Sequence, residues 1–436
     1  MLSLWIACPA NAAPDTKEEI GRYSLSQCLS TAFEQNYDLQ KAREQIERQN
    51  GVRIEARARL LPRLDAKASY QKIDSNRISS FNGQQFGSDQ SWNAEVEVSQ
   101  NIFRGGSDAA LYNREQRLSE AVKNQFLAVA NDVLSQVRER FYRVLLARAK
   151  VKVQEQSVSL LEEELRSEKA KLAAGTVSQF NVLRAEVELA NSKAPLIRAR
   201  NELRIAREEL AQIMGLPESA MRGEEPIVDV EGELEFAPVT LSIDDALSQA
   251  DESRPELKQL KHQVEAESER VRAERGAYYP ELSAYASYGA DKSPFTDELD
   301  EKDSGWKAGV RGNWNIFNSF GTAGRVQQAI SDEQVARLSK QQRQLDISIE
   351  VRRAYSALIE AEELVTASKK VVEQAEESLR LARSRLDAGA GTQLEVLDTQ
   401  VALTDARANE IQALYDFNTA RARMDLATGA VLRPAQ

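Results

Sequence analysis

The sequence has little histidine and little cysteine, with one His and two Cys among 436 residues. That scarcity argues against a His/Cys metal centre, a disulfide framework and most histidine-based catalysis. Aromatics make up 6% and glycines number only 20. Both are low for a compact globular domain and lean toward long helices. The 57 basic side chains form no block and are outnumbered by 68 acidic ones, for a net charge of −11. Nucleic acid is therefore not an expected partner. No run of 18 apolar residues occurs, so no transmembrane helix is expected. A membrane β-barrel stays open, because its strands are short and alternating. The sequence offers no nucleophile–base pair, phosphate loop or metal cluster, so no enzyme, cofactor or metal site is expected.

Residues 1–13 read as a truncated signal peptide. Leu2 to Ala7 is apolar and Ala10-Asn11-Ala12 fits an A-x-A cleavage site, with the basic n-region missing. Cys8 can be read as a lipidation cysteine or as one removed with the signal. Cys28 sits in an amphipathic stretch and reads as a small buried hydrophobe. His262, in Lys261-His262-Gln263, reads as a surface residue.

What is present is a duplication. Leu60-Leu61-Pro62-Arg63-Leu64 to Tyr70 matches Tyr278-Tyr279-Pro280-Glu281-Leu282 to Tyr288 at an offset of 218. Asn101-Ile102-Phe103 recurs as Asn315-Ile316-Phe317 at an offset of 214. Leu172, Ala174, Gly175, Gln179, Val182 and Leu183 recur as Leu386, Ala388, Gly389, Gln393, Val396 and Leu397, again at 214. The expected organisation is a first repeat over 23–215, a linker over 216–240, a second repeat over 241–429 and a tail over 430–436. Each repeat reads as helix, strand, strand, long helix, turn, helix.

The helices carry heptads. Val137, Val144, Val151, Val158, Leu165 and Leu172 recur every seven residues, as do Val351, Leu358, Val365, Val372, Leu379 and Leu386. Ala185, Ser192, Ala199 and Ala206 make a small-residue stripe past the first turn. Such stripes predict helices packed along their lengths. The first helix is expected over about Leu25–Leu60 and the long one over about Ser107–Ala173. At a rise of about 1.5 Å per residue, two shorter helices end to end match one long helix of roughly 100 Å. Pro195 predicts a kink or local break.

The strands alternate. Trp92, Ala94, Val96, Val98 and Ile102 interleave with Asn93, Glu95, Glu97, Ser99 and Asn101. Trp306, Ala308, Val310, Trp314 and Ile316 interleave with Lys307, Gly309, Arg311, Asn313 and Asn315. Strands of about ten residues suffice to cross a bilayer when tilted. On that reading Trp92, Val96, Val98, Trp306, Val310 and Trp314 face lipid, and Glu95, Glu97, Lys307 and Arg311 face a wet lumen. A soluble half-buried sheet alternates in the same way. Four strands cannot close a barrel in lipid, whereas two chains would supply eight and three would supply twelve. The loops over Lys72–Ser91 and Gly289–Gly305 read as exposed. The acidic set of the second (Asp291, Asp297, Glu298, Asp300, Glu301, Asp303) reads as solvated.

This duplicated plan resembles the TolC family of outer-membrane efflux channels. The resemblance rests on Leu61-Pro62 and Tyr279-Pro280, on Asn101-Ile102-Phe103-Arg104-Gly105-Gly106 and Trp314-Asn315-Ile316-Phe317-Asn318-Ser319-Phe320-Gly321, and on two hairpin tips, Ala174 to Leu183 and Ala388 to Asp398. It implies a mainly α fold in which long coiled-coil-like helices form a trimeric tunnel. Four strands per chain join one shared twelve-stranded barrel. It implies an outer-membrane exit duct of a Gram-negative bacterium, with its helical part in the periplasm. The implied partners are two further copies, a periplasmic adaptor (membrane fusion) protein, an inner-membrane pump and outer-membrane lipid. By the same resemblance, Glu395 and Asp398 would form the pore constriction. Gly175, Thr176, Val182, Leu183, Gly389, Thr392, Val396 and Leu397 would meet the adaptor. The family's polar lock corresponds to Leu386 and Gly391, so such a lock is not expected here. The competing reading is a periplasmic coiled-coil adaptor or scaffold without a channel.

Overall fold

The computed structural model describes residues 21–74, 80–81, 84–85, 89–217, 228–292 and 302–431. Cys8, the Ala10-Asn11-Ala12 site, residues 218–227 of the expected linker, the acids Asp297, Glu298, Asp300 and Glu301, and residues 432–436 of the tail lie outside them.

The first repeat begins with β1 (Gly21–Tyr23), α1 (Leu25–Gln35) and α2 (Tyr37–Ala58). It continues through β2 (Arg63–Lys72), the two-residue pair β3 (Ser80–Phe81) and β4 (Gln84–Gln85), and β5 (Gln90–Arg104). It ends with α3 (Ser107–Ala173) and α4 (Gln179–Met214). After β6 (Val228–Val230), the second repeat runs α5 (Ile243–Ser253), α6 (Pro255–Arg275), β7 (Glu281–Lys292), β8 (Lys302–Asn313), α7 (Gly321–Asp387) and α8 (Gln393–Thr428). Helices α3 and α7 each have 67 residues, about 100 Å at about 1.5 Å per residue. The chain divides into two compact units. One comprises Met1–Gln40, Ala130–Ser253 and Ile349–Gln436, the other Lys41–Val129 and Arg254–Ser348.

In the first unit, α1 opens on a reciprocal cap. The Gln27 amide donates to Ser24 Oγ at 3.3 Å, and the Ser24 amide donates to Gln27 Oε1 at 2.8 Å. The single helix expected over Leu25–Leu60 is broken at Asn36, whose backbone is extended. Its side-chain oxygen accepts from the amides of Asp38 and Leu39 and so starts α2. Its Nδ2 donates to the Ile213 carbonyl at 2.8 Å. A bond to a residue so distant in sequence leaves no local trace. Part of the expected linker is held firmly. β6 pairs in parallel with β1, and the Phe236 ring meets Phe417 edge-on at 4.9 Å.

The second repeat keeps its heptad stripe inside, with Val351, Leu358, Val365 and Leu379 buried beside Ala361 and Ala382. In α3 the stripe drifts. Val137 and Val144 are buried, Leu172 is exposed, and Val153, Ser157, Leu161 and Glu168 take over the interior. A helix of 3.6 residues per turn walks off a strict seven-residue repeat unless it supercoils. Of the kink or break expected at Pro195, the break does not occur, since α4 runs unbroken from Gln179 to Met214. Pro195 is exposed, where water can serve the carbonyl that the proline leaves without a donor.

In the second unit, β2, β5, β7 and β8 form one antiparallel sheet in that order. Its register stacks like with like. Ala66, Val96, Tyr288 and Trp306 form one row, and Leu64, Val98, Ala286 and Ala308 another. The opposite face carries the row Asp65, Glu97, Ser287 and Lys307. Strands β2 and β8 are its two edges.

Two details depart from the alternation. Asn101 pairs with Ser283 and Phe103 with Leu282, so Ile102 is the extra residue of a β-bulge. Phe103 is thereby the residue paired with Leu282, on the apolar face. Strand β8 ends at Asn313, so Trp314 lies beyond it and is no longer a strand residue. Its indole N–H donates to the Tyr278 carbonyl at 3.2 Å, which turns it from the ladder to the preceding turn. Asp291 and Asp303, expected in the loop, face each other across β7 and β8.

The turns after β5 and β8 share a backbone. Gly105 and Gly106 have φ of 60° and 79°, and Ser319 and Phe320 have 54° and 67°. For residues other than glycine this region costs roughly 1–2 kcal/mol each.

Candidate functional site

The two hairpin tips, both in the first unit, are built alike. Gly175 has φ 75° and Gly389 φ 72°, the left-handed conformation that glycine adopts most readily at a helix end. The Gly175 and Gly389 amides donate to the Leu172 and Leu386 carbonyls at 2.9 and 3.0 Å. The next amides, of Thr176 and Ala390, donate to Lys171 and Arg385 at 3.0 and 2.8 Å. Helix α8 then starts on Thr392, whose hydroxyl accepts from the Glu395 amide at 3.3 Å. Ser178, at the same place before α4, makes no such side-chain bond.

Glu395 and Asp398 lie three apart at the start of α8 and are both exposed, so both carboxylates share one helix face. Arg385 approaches Glu395 at 3.8 Å and donates to the Ala390 carbonyl at 3.2 Å. Both partners of that ion pair are solvated, so it is weak. Leu386 packs on the core of Leu379, Ala382, Val396 and Leu403. A Cβ on Gly391 would come within 3.0 Å of the Leu386 amide nitrogen. The tip therefore has little room for a side chain at position 391.

Of the expected adaptor contacts, Gly175, Thr176, Leu183, Gly389 and Thr392 are exposed. Val182, Val396 and Leu397 are not exposed: all three are buried, and Val396 belongs to that core. Their side chains fill the seam between helices. On the sheet, Trp92, Val96, Val98, Trp306 and Val310 share one face, while Glu95, Glu97, Lys307 and Arg311 share the other. The Lys67 ammonium lies 3.6 Å from Glu97, and the Arg311 guanidinium lies over the Tyr285 ring.

Behind the tips is a polar cluster that sequence reasoning missed. Glu168 on α3 is 1% exposed and accepts from the Lys171 ammonium at 2.8 Å. One turn earlier, Glu164 stands beside the side chain of Gln393, from the second tip. Gln393 also donates to the Asn181 carbonyl of the first hairpin at 3.5 Å. Burial, reinforced by the charge of Glu168, holds the Glu164 carboxyl above its ordinary range; Lys171, Arg383 and Gln393 oppose the shift. The second repeat has Ser378 and Ala382 at these positions. Setting the two repeats side by side is the signal that would have found the cluster, because carboxylates stand where the other copy has small residues.

Cys28 is fully buried, and burial pushes its thiol up to about 12. His262 is half-buried and lies 3.2 Å from Glu265. Among the described residues, no helix is long and apolar enough to cross a membrane, and no acid, His or Cys group has metal-binding geometry.

Against known proteins, the profile of the Outer membrane efflux protein family matches residues 28–216 and 246–430. The chain belongs to that family. The two matched segments of this outer membrane efflux protein follow the duplication read from its sequence. It is 24% identical over 424 residues to the cobalt-zinc-cadmium resistance protein CzcC of Cupriavidus metallidurans, covering 95% of this chain and 91% of that one. It is 24% identical over 415 residues to the alkaline protease secretion protein AprF of Pseudomonas aeruginosa, covering 92% and 83%. The Campylobacter jejuni CmeC outer membrane channel has the same fold at a TM-score of 0.79 and 17% identity, over 98% of this chain and 94% of that one. This outer membrane efflux protein is a channel component of the Gram-negative outer membrane, acting in efflux or secretion. The reading as a periplasmic adaptor or scaffold is thereby set aside. Its family consists of channel proteins.

Proposed function

We propose that three copies of this chain, each built of repeats 23–215 and 241–429, form one passive exit duct that a periplasmic adaptor and an inner-membrane pump engage and open. The observation that carries this is the sheet. It has four strands, one apolar face and two edge strands, and an open edge is not viable in lipid. Three sheets joined edge to edge give twelve strands, enough for a water-filled interior. Trp92, Val96, Val98, Trp306 and Val310 then meet lipid, and Trp314 sits at the membrane edge. Glu95, Glu97, Lys307 and Arg311 line the lumen. At the tips, Glu395 and Asp398 of three chains ring the axis and favour cations. The exposed tip residues Gly175, Thr176, Leu183, Gly389 and Thr392 receive the adaptor. The duct catalyses nothing, and transport energy comes from the pump.

The test is the state of the protein in detergent extracts of outer membranes. A heat-modifiable trimer with a resistant barrel is expected. A folded monomer in detergent-free buffer would eliminate the proposal.

A further inference from the structure

We propose that the Asn315–Gly321 turn is a lipid anchor, with Phe317 and Phe320 inserted into the interfacial layer of the periplasmic leaflet of the outer membrane. The inference rests on the reading that the apolar sheet face meets lipid.

It starts from the two repeats. At an offset of 214, Gly105-Gly106 corresponds to Ser319-Phe320, and all four residues have positive φ. The first repeat makes this turn with residues that accept such a backbone freely. The second makes it with a phenylalanine, for which the conformation is a genuine outlier. Among the described residues, no buried contact offsets this. Phe320 is 77% exposed, and its ring partner Phe317, 5.7 Å away edge to face, is 71% exposed. The first repeat leaves open space at the matching place, because a Cβ on Gly106 would touch nothing within 4 Å.

The occupant follows from what adjoins the turn. Trp314 and Ile316 are exposed beside it, and Trp306 and Val310 are exposed on the last strand. The apolar surface is therefore continuous in sequence with the sheet face. The turn also lies where β8 has ended and α7 begins, the level at which a bilayer gives way to water. Aromatic rings concentrate at that level in membrane barrels. Trp314 holds its indole N–H on the Tyr278 carbonyl, which leaves the body of the ring for the apolar side.

The experiment uses the full-length trimer in phosphatidylcholine vesicles. One chain keeps Trp306 as its single tryptophan, and another has only the tryptophan introduced by Phe320→Trp. Bromine atoms are placed shallow or deep on the acyl chains. Trp306 is expected to be quenched, and the residue at 320 is expected to be quenched more by shallow than by deep bromine. Quenching at 306 without quenching at 320 overturns the anchor and leaves the lipid-facing sheet standing. No quenching at either overturns both. Phe320→Ser keeps a side chain on the same left-handed backbone and removes the ring. It is expected to lower the yield of vesicle-inserted trimer by about tenfold, the ratio for burying one such side chain. An unchanged yield also overturns the anchor.

Discussion

Glu168 and Lys171 form an ion pair of 2.8 Å in which the carboxylate is buried and the ammonium reaches solvent. Replacing a buried pair by apolar groups is often neutral or stabilising, whereas removing one partner strands a charge. Lys171→Met is expected to destabilise the tip region by about 3 kcal/mol. Glu168→Ala, which copies Ala382 of the other repeat, is expected to be neutral or stabilising. Thermal dissociation of the trimer, compared across both variants, checks the order. Equal loss in both would contradict it.

Glu164 gives a pH dependence whose sign can be derived. Its folded-state carboxyl is held above the ordinary 4.5, mainly by burial. The folded state therefore binds the proton more readily than the unfolded one. Its unfavourable contribution is full at neutral pH and is relieved as pH falls through the raised value toward 4.5. Packing of α3 on α8 is expected to tighten over that window, and Glu164→Gln is expected to abolish the change. Amide exchange of residues 160–172 and 393–400, corrected for intrinsic rates, measures it. Faster exchange on acidification would refute the assignment.

At the tips, Glu395→Gln with Asp398→Asn is expected to weaken block by polyvalent cations in single-channel recordings. Arg385 lies 3.8 Å from Glu395 and partly offsets its charge, so Arg385→Ala is expected to strengthen the same block. Identical conductance and block in all three proteins would remove the ring from the mechanism.

Cys28 is fully buried with its thiol pushed up to about 12. A reactive cysteine needs its thiolate. In a chain carrying Cys8→Ser, a thiol reagent at pH 8 is expected to label nothing until denaturant is added. Rapid labelling of the native trimer would show that α1 opens locally.

Much of the fold was legible because it rests on periodicity. The heptads announced the long helix expected over about Ser107–Ala173, where α3 lies, and the alternation of Trp92 to Val98 matched the faces of the sheet. Glycines at 175 and 389 marked both tips, since the reversal needs positive φ. The candidate site was read less well. Glu395 and Asp398 are exposed, but Val396 and Leu397 between them are buried, because a single turn of helix presents both a wet and a packed side. Glu164 and Glu168 looked like ordinary charges on a long helix until the fold buried Glu168 and brought Gln393 beside Glu164.

By itself the sequence determined the duplicated order of elements, the type and approximate length of each helix, and which strand residues share a face. These follow from local periodicity and turn chemistry, which need no distant partner. Only the tertiary structure decided the break at Asn36, the bulge at Ile102, the end of β8 before Trp314 and the burial of Glu168. Each depends on a group far away in sequence, such as the Ile213 carbonyl for Asn36 or Leu282 for Phe103, and packing alone brings those groups within reach.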